Sequence, residues 1–97
     1  MQYLNAQLIT RNKQLRDDGC VIELVILRVA QPIDPCTHLF KYRLYFGKNN
    51  QCFIRYDNER GKGDHRHVGQ CEEHYRFESP EELVAVFERD IRGWSKK

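Results

Sequence analysis

The 97-residue sequence predicts an α+β domain: an antiparallel, mostly meandering sheet of about five strands with one C-terminal amphipathic helix packed on it. Three features carry that expectation. β-Branched and aromatic runs recur up to residue 77, turn residues separate them, and a single helix-start signal stands at Ser79-Pro80-Glu81-Glu82. There is no internal repeat, low-complexity segment or second core. Residues 1–97 are therefore read as a single domain with room for one hydrophobic core.

Residues 6–15 and 20–30 are the first two strand-like runs. Between them lies Arg16-Asp17-Asp18-Gly19, whose Asp-Gly step supplies the positive φ of a tight hairpin. The second run, Cys20 to Val29, is apolar on both faces and reads as a central strand covered on both sides over much of its length. Pro32 and Pro35 then remove backbone donors and fix φ, so the chain crosses in a loop. From Phe40 to Phe46 the alternation is strict. Phe40, Tyr42, Leu44 and Phe46 share one face, and Lys41, Arg43 and Tyr45 the other. Gly47-Lys48-Asn49-Asn50 reads as a turn and Cys52–Tyr56 as a further strand, with a last short strand or strand pair over 65–68 and 75–77. In the helix Ser79 is the N-cap, Pro80 takes the first helical position and Glu82 the capping-box position. Leu83, Phe87, Ile91 and Trp94 then form one apolar stripe, joined by Val84 and Val86, that should lie on the sheet.

The composition, 40% apolar and 31% charged, is that of an ordinary soluble chain, and no apolar run approaches the ~20 residues of a membrane span. Met1 to Asn5 show neither a basic nor an apolar signal-peptide region, so the expected location is cytoplasmic, with no membrane partner. Cys20, Cys36, Cys52 and Cys71 show no CxxC pairing and read mostly as plain buried thiols. The net charge of +2 hides an asymmetry: Lys and Arg dominate residues 38–67, whereas Asp and Glu dominate 72–90. A basic middle beside an acidic segment suggests one anion-seeking face.

The basic middle contains the run Tyr56-Asp57-Asn58-Glu59-Arg60-Gly61-Lys62-Gly63-Asp64-His65-Arg66-His67. Anion binding is one reading, because two glycines can expose backbone N–H groups where Arg60, Lys62 and Arg66 bring charge. The nearby row Lys41, Arg43, Tyr45, with Arg55 and Tyr56, adds cations and aromatic rings of the kind that hold single-stranded nucleic acid. Zinc is a second: His65, His67, Cys71 and His74 are chemically suitable, but their spacing matches no diagnostic pattern. Metal-free acid–base chemistry is a third. His65 or His67 would take a proton from an RNA 2′-hydroxyl, oriented by Asp64 or another carboxylate, while Arg60, Lys62 or Arg66 stabilises charge on phosphate. That route needs no cofactor. Against all three stands the plain alternative of a solvated turn and ordinary strand histidines.

Taken together, Phe40 to Gly47, the run from Tyr56 to Gly69, and Tyr75-Arg76-Phe77 before a capped helix resemble the TumE family of small bacterial toxin–antitoxin proteins. The resemblance spans nearly the whole chain. It implies the toxin half of a two-gene module, neutralised by a cognate antitoxin that typically carries a helix-turn-helix domain. It also implies motif positions at residues 56–65 and at His67, without assigning their roles. Cys71 is not such a position, and His74 stands where relatives tend to have proline, so the zinc set leans on residues peculiar to this chain.

The expectation is thus a toxin acting on RNA through a basic and histidine-bearing site, as a metal-independent endoribonuclease. His65, His67, Asp64, Arg60 and Lys62 are the candidate catalytic residues. Lys41, Arg43, Tyr45, Arg55, Tyr56 and Arg66 are the candidate nucleic-acid contacts. The alternatives are a module of the same fold that binds nucleic acid or protein without cleaving, and an interaction module in which the motif only shapes a loop.

Overall fold

The computed structural model describes residues 5–95. Residues 1–4, most of the stretch read above as lacking a signal peptide, lie outside the described residues. Six strands, β1 (Gln7–Leu15), β2 (Val21–Arg28), β3 (Phe40–Lys48), β4 (Gln51–Glu59), β5 (Gly63–Val68) and β6 (Cys71–His74), precede one helix, α1 (Pro80–Ser95). All neighbours are antiparallel and the spatial order is the chain order, β1 to β6, so the sheet is an unbroken meander.

The strand count is six rather than about five. The difference lies after Val68. Gly69 takes a positive φ of 59°, the chain reverses, and Cys71–His74 pair with β5. Tyr75–Phe77, expected in a strand, leave the sheet instead and carry their rings into the core: Tyr75 meets Tyr56 edge-on at 5.0 Å, and Phe77 stacks on His38 at 3.9 Å. The β3–β4 turn also differs from expectation. Asn49 and Asn50, at φ 52° and 64°, make the two-residue turn, as the backbone twist of a tight hairpin requires. Gly47 belongs to β3, where a Cβ would run into the Gln51 carbonyl oxygen and the phenol end of Tyr45.

The core lies on one face only. Ile26, Tyr42, Leu44, Phe46, Ile54 and Tyr56 from the strands meet Leu83, Phe87 and Ile91 from the helix. Ser79 caps that helix by accepting the Glu82 N–H at 3.1 Å, while the Glu82 carboxylate accepts from Tyr75 Oη at 3.0 Å. Burying Leu83 and Phe87 completely stabilises the packing by about 1.5–3 kcal/mol each. Trp94 completes the stripe by stacking on Phe53 at 5.0 Å. Where the helix does not reach, the β2–β3 connection folds over the same face and buries Val29, Ile33 and Cys36. The opposite face carries no helix. Consequently β2 is not covered on both sides as its apolar run suggested: most of it is half-buried, with only Ile26 fully enclosed.

A polar clamp fixes the helix in place. Asp90, on the inner side of α1, accepts from Tyr56 Oη at 2.5 Å and from Arg66 Nε at 2.9 Å. Burial pushes the Asp90 carboxyl up, but the hydrogen bonds from Arg66 and Tyr56 outweigh it and hold it below the ordinary carboxylate value. A carboxyl depressed in the folded state contributes stability above its unfolded value of about 3.9, and the contribution is lost as pH falls through the folded value. Asp90→Asn should therefore destabilise by about 2 kcal/mol at neutral pH. The gap from the unsubstituted protein should narrow as pH falls below about 3.9, as read from urea midpoints at neutral and acid pH.

Candidate functional site on the helix-free sheet face

Strand alternation divides the charged motif between the two faces of the sheet. In register across β4 and β5, Asp57 faces His65, Arg55 faces His67, Tyr56 faces Arg66 and Asn58 faces Asp64. Tyr56, Asn58, Asp64 and Arg66 share the helix side with Ile54 and Leu44, whereas Arg55, Asp57, His65 and His67 share the open side with Arg43 and Tyr45. Only the tip, Arg60–Lys62, is a turn. Its glycines do need their freedom, since Gly61 and Gly63 have φ of 85° and 81°. The tip is not an anion nest, however: Gly61 N–H donates to the Asp34 carbonyl at 2.8 Å and Lys62 N–H to the Glu59 carbonyl at 3.1 Å.

The helix-side motif residues are engaged in scaffolding. Asn58, fully buried, accepts from the Tyr42 N–H at 3.0 Å and donates to the Phe40 carbonyl at 2.8 Å, so its side chain takes the place of strand pairing where β3 and β4 part. Asp64 accepts from Tyr42 Oη at 2.6 Å and lies 2.8 Å from His38 Nε2. Asp64 therefore cannot orient His65 or His67, which lie across the sheet. Tyr56 and Arg66, expected to meet nucleic acid, instead form the Asp90 clamp, and Arg66 also reaches Glu73 at 2.6 Å. Tyr56 is pushed up to about 12 by burial and by its hydrogen bond to Asp90.

On the open face the registers align two rows that cross the sheet. One runs Val25, Arg43, Asp57, His65, His74; the other runs Glu23, Tyr45, Arg55, His67, Glu72. Directly opposed side chains in such rows start from Cβ atoms roughly 4.5–5.5 Å apart, and alternate residues of one strand lie ~7 Å apart. Arg43 sits over the Tyr45 ring at 5.0 Å, and Arg55 Nε lies 3.3 Å from Asp57. His65 Nε2 is 2.8 Å from the Lys62 carbonyl, which can only accept, so that nitrogen carries a proton. Its Nδ1 is 3.6 Å from Glu72, and Lys62 Nζ is 3.7 Å from the same carboxylate. The Nδ1 atoms of both His65 and His67 are enclosed without a hydrogen-bond partner. Lys41 is on this face as well, but its ammonium donates to the Asn58 carbonyl, and burial lowers its pKa below the ordinary value. Beside the rows, Lys13, Glu23, Arg43, Tyr45, Lys48 and Arg55 bound a depression of roughly 530 Å³. Arg60 is exposed at the hairpin tip.

Across the whole match, the family model of toxin TumE fits residues 5–95. The chain belongs to the TumE toxin family. Searches of curated proteins and of solved structures matched nothing. The family match supports toxin function and suggests an antitoxin partner for this TumE-family chain. Among the described residues no helix is long and apolar enough to cross a membrane.

The zinc set does not assemble. His65 and His74 are paired on the open face with His67 beside them, but Cys71 pairs with Val68, whose parity is that of Arg66 on the helix side. Among the described residues only Cys36, His38 and Asp64 bring three metal-type ligand atoms within 4.8 Å of one another. Both ring nitrogens of His38 are already engaged, Nδ1 with the Phe40 N–H at 3.2 Å and Nε2 with Asp64. Reading the motif as a list of chemical types missed three residues: Asp57 and Glu72 as the carboxylates on the histidine side, and His38 as the partner of Asp64. Period-two alternation along β5 would have separated Asp64 and Arg66 from His65 and His67. No signal in the sequence points to His38, which reaches β5 from the β2–β3 connection.

Removing a scaffold residue should therefore differ from removing an open-face one. Asn58→Ala strands two buried backbone groups and should cost about 2–3 kcal/mol in urea denaturation, whereas Arg43→Ala should stay within about 0.5 kcal/mol. A cost for Asn58→Ala as small as that for Arg43→Ala would show that its amide does not bridge β3 and β4.

Proposed function

We propose that this toxin acts on RNA across the helix-free sheet face, as a metal-independent endoribonuclease in the cytoplasm, and that a cognate helix-turn-helix antitoxin neutralises it. One observation carries this reading. The face left bare by the helix brings two imidazoles, two guanidinium groups and an aromatic ring together in adjacent cross-strand rows. Two imidazoles ~7 Å apart on one strand can stand on either side of a phosphodiester. His67 Nε2 takes the 2′-hydroxyl proton, the 2′-oxygen bonds to phosphorus, and the bond to the 5′-oxygen breaks. His65, entering the step doubly protonated, returns one proton to that leaving oxygen and is left as the neutral imidazole. Arg43 and Arg55 flank the pair and meet the charge that develops on the phosphoryl oxygens. Tyr45 offers a ring for base stacking. Asp57 and Glu72 take the orienting role expected of Asp64, and Lys62 and Arg60 lie at the hairpin tip as peripheral cations. Tyr56, Asp64 and Arg66 support the site through the scaffold.

The test is cleavage of single-stranded RNA by purified protein in excess chelator. Products ending in 2′,3′-cyclic phosphate are expected, and His67→Ala or His65→Ala should slow their formation by about 10²–10⁴-fold with the fold retained. Intact RNA with folded, unsubstituted protein would refute the enzyme. Retained binding that weakens steeply with salt would then favour the non-cleaving alternative.

A further inference from the structure

All three exposed large hydrophobic residues among those described lie on one edge strand. Leu8, Ile9 and Leu15 of β1 are 53%, 46% and 73% exposed. Among the described residues β1 hydrogen-bonds only to β2, so the other side of its nine-residue backbone is a free row of donors and acceptors. The opposite edge is different: β6 has four residues and carries Glu72 and Glu73.

The pattern on β1 is specific. Ile9 is an extra residue at the register shift, so Leu8, Arg11, Lys13 and Leu15 fall opposite Leu27, Val25, Glu23 and Val21, all on the helix-free face. The other side of the strand presents Thr10, Asn12 and Gln14, which are polar and uncharged. An incoming strand therefore meets leucine, cation, cation and leucine at alternate positions. β1 contains no acidic residue.

We infer that the free edge of β1 receives an extended segment of a partner polypeptide with acidic side chains at two alternate positions flanked by apolar ones. Main-chain hydrogen bonds would supply affinity and the side-chain alternation specificity. A second copy of this chain fits poorly. Two-fold pairing about Asn12 sets Arg11 against Lys13 twice, and like charges directly opposed across strands repel. The β6 edge of another copy fits no better, because its adjacent glutamates point to opposite faces. Lys13 and the bulge at Ile9 thus discourage self-pairing while leaving the edge open to a matched partner. An added strand also brings its carboxylates onto the Arg43 and Arg55 side of the sheet. This inference does not rest on RNA being the substrate.

The test titrates isotope-labelled protein with a short synthetic peptide bearing valine, glutamate, glutamate and valine at alternate positions and threonine between. The control peptide has lysines in place of the glutamates. Amide shifts centred on residues 7–15 with the glutamate peptide, and at least tenfold weaker binding of the control, are expected. In Arg11→Glu/Lys13→Glu the preference should invert, and acceptance of the lysine peptide itself reports that this variant is folded. The inference falls if neither peptide shifts β1, if both bind equally, or if the shifts fall on β6. It falls too if the protein self-associates through β1 with concentration, or if a single-stranded RNA oligonucleotide rather than the peptide occupies that edge.

Discussion

A single helix can cover only one face of a six-stranded sheet. α1 is about 24 Å long at 1.5 Å per residue, and it lies closest to β4, where Leu83, Phe87 and Ile91 are buried. The apolar side of the sheet, Ile26, Leu44, Phe46 and Ile54, selects which face it takes, and the Asp90 clamp to Tyr56 and Arg66 pins it there. Placing that clamp at β4 and β5 brings the helix over the motif hairpin and leaves the reverse side of the same hairpin in solvent. The character of each face follows: aromatic and apolar under the helix, charged and imidazole-bearing on the bare side.

One hairpin consequently does two jobs, and period-two alternation keeps them apart. Tyr56, Asn58, Asp64 and Arg66 close hydrogen bonds to the helix, to β3 and to His38, each replacing water with a protein partner in a part of the molecule that cannot admit much solvent. Asp57, His65 and His67, one residue away in each case, meet neighbours on the open side. The scaffold residues matter to the face they do not touch, because Tyr56 and Asn58 set the register that places Arg55 beside His67 and Asp57 beside His65.

Charge is distributed to match. The bare face mixes Arg43, Arg55, Lys13 and Lys48 with Glu23, Asp57 and Glu72, so it is a patterned field rather than a uniform basic patch. Glu72 alone is near both His65 and Lys62, and Asp57 holds Arg55. Of the guanidinium groups on this face, Arg55 lies beside Asp57 and Arg43 over the Tyr45 ring. The β1 edge carries the same surface to the rim of the sheet with Arg11 and Lys13.

Much of the architecture was legible in the chain itself. The capped helix, the Asp-Gly hairpin, the alternation of Phe40–Phe46 and the helical stripe ending at Trp94 are local signals, and local periodicity is what a sequence displays directly. Others were misread because their cause is not local. Gly47 looked like a turn residue, yet it is a strand glycine that makes room for the Gln51 carbonyl and the end of the Tyr45 side chain. The run from Cys20 to Val29 looked doubly covered because apolar composition does not reveal that no layer lies on its second side. The site was legible as a set of residue types and illegible as a geometry. By itself the sequence determined the strands, the helix and the concentration of histidine, arginine and carboxylate in one hairpin. Only the tertiary structure decided which of those side chains meet, because cross-strand register and contacts such as that of Asp90 with Tyr56 and Arg66 join residues far apart in the chain.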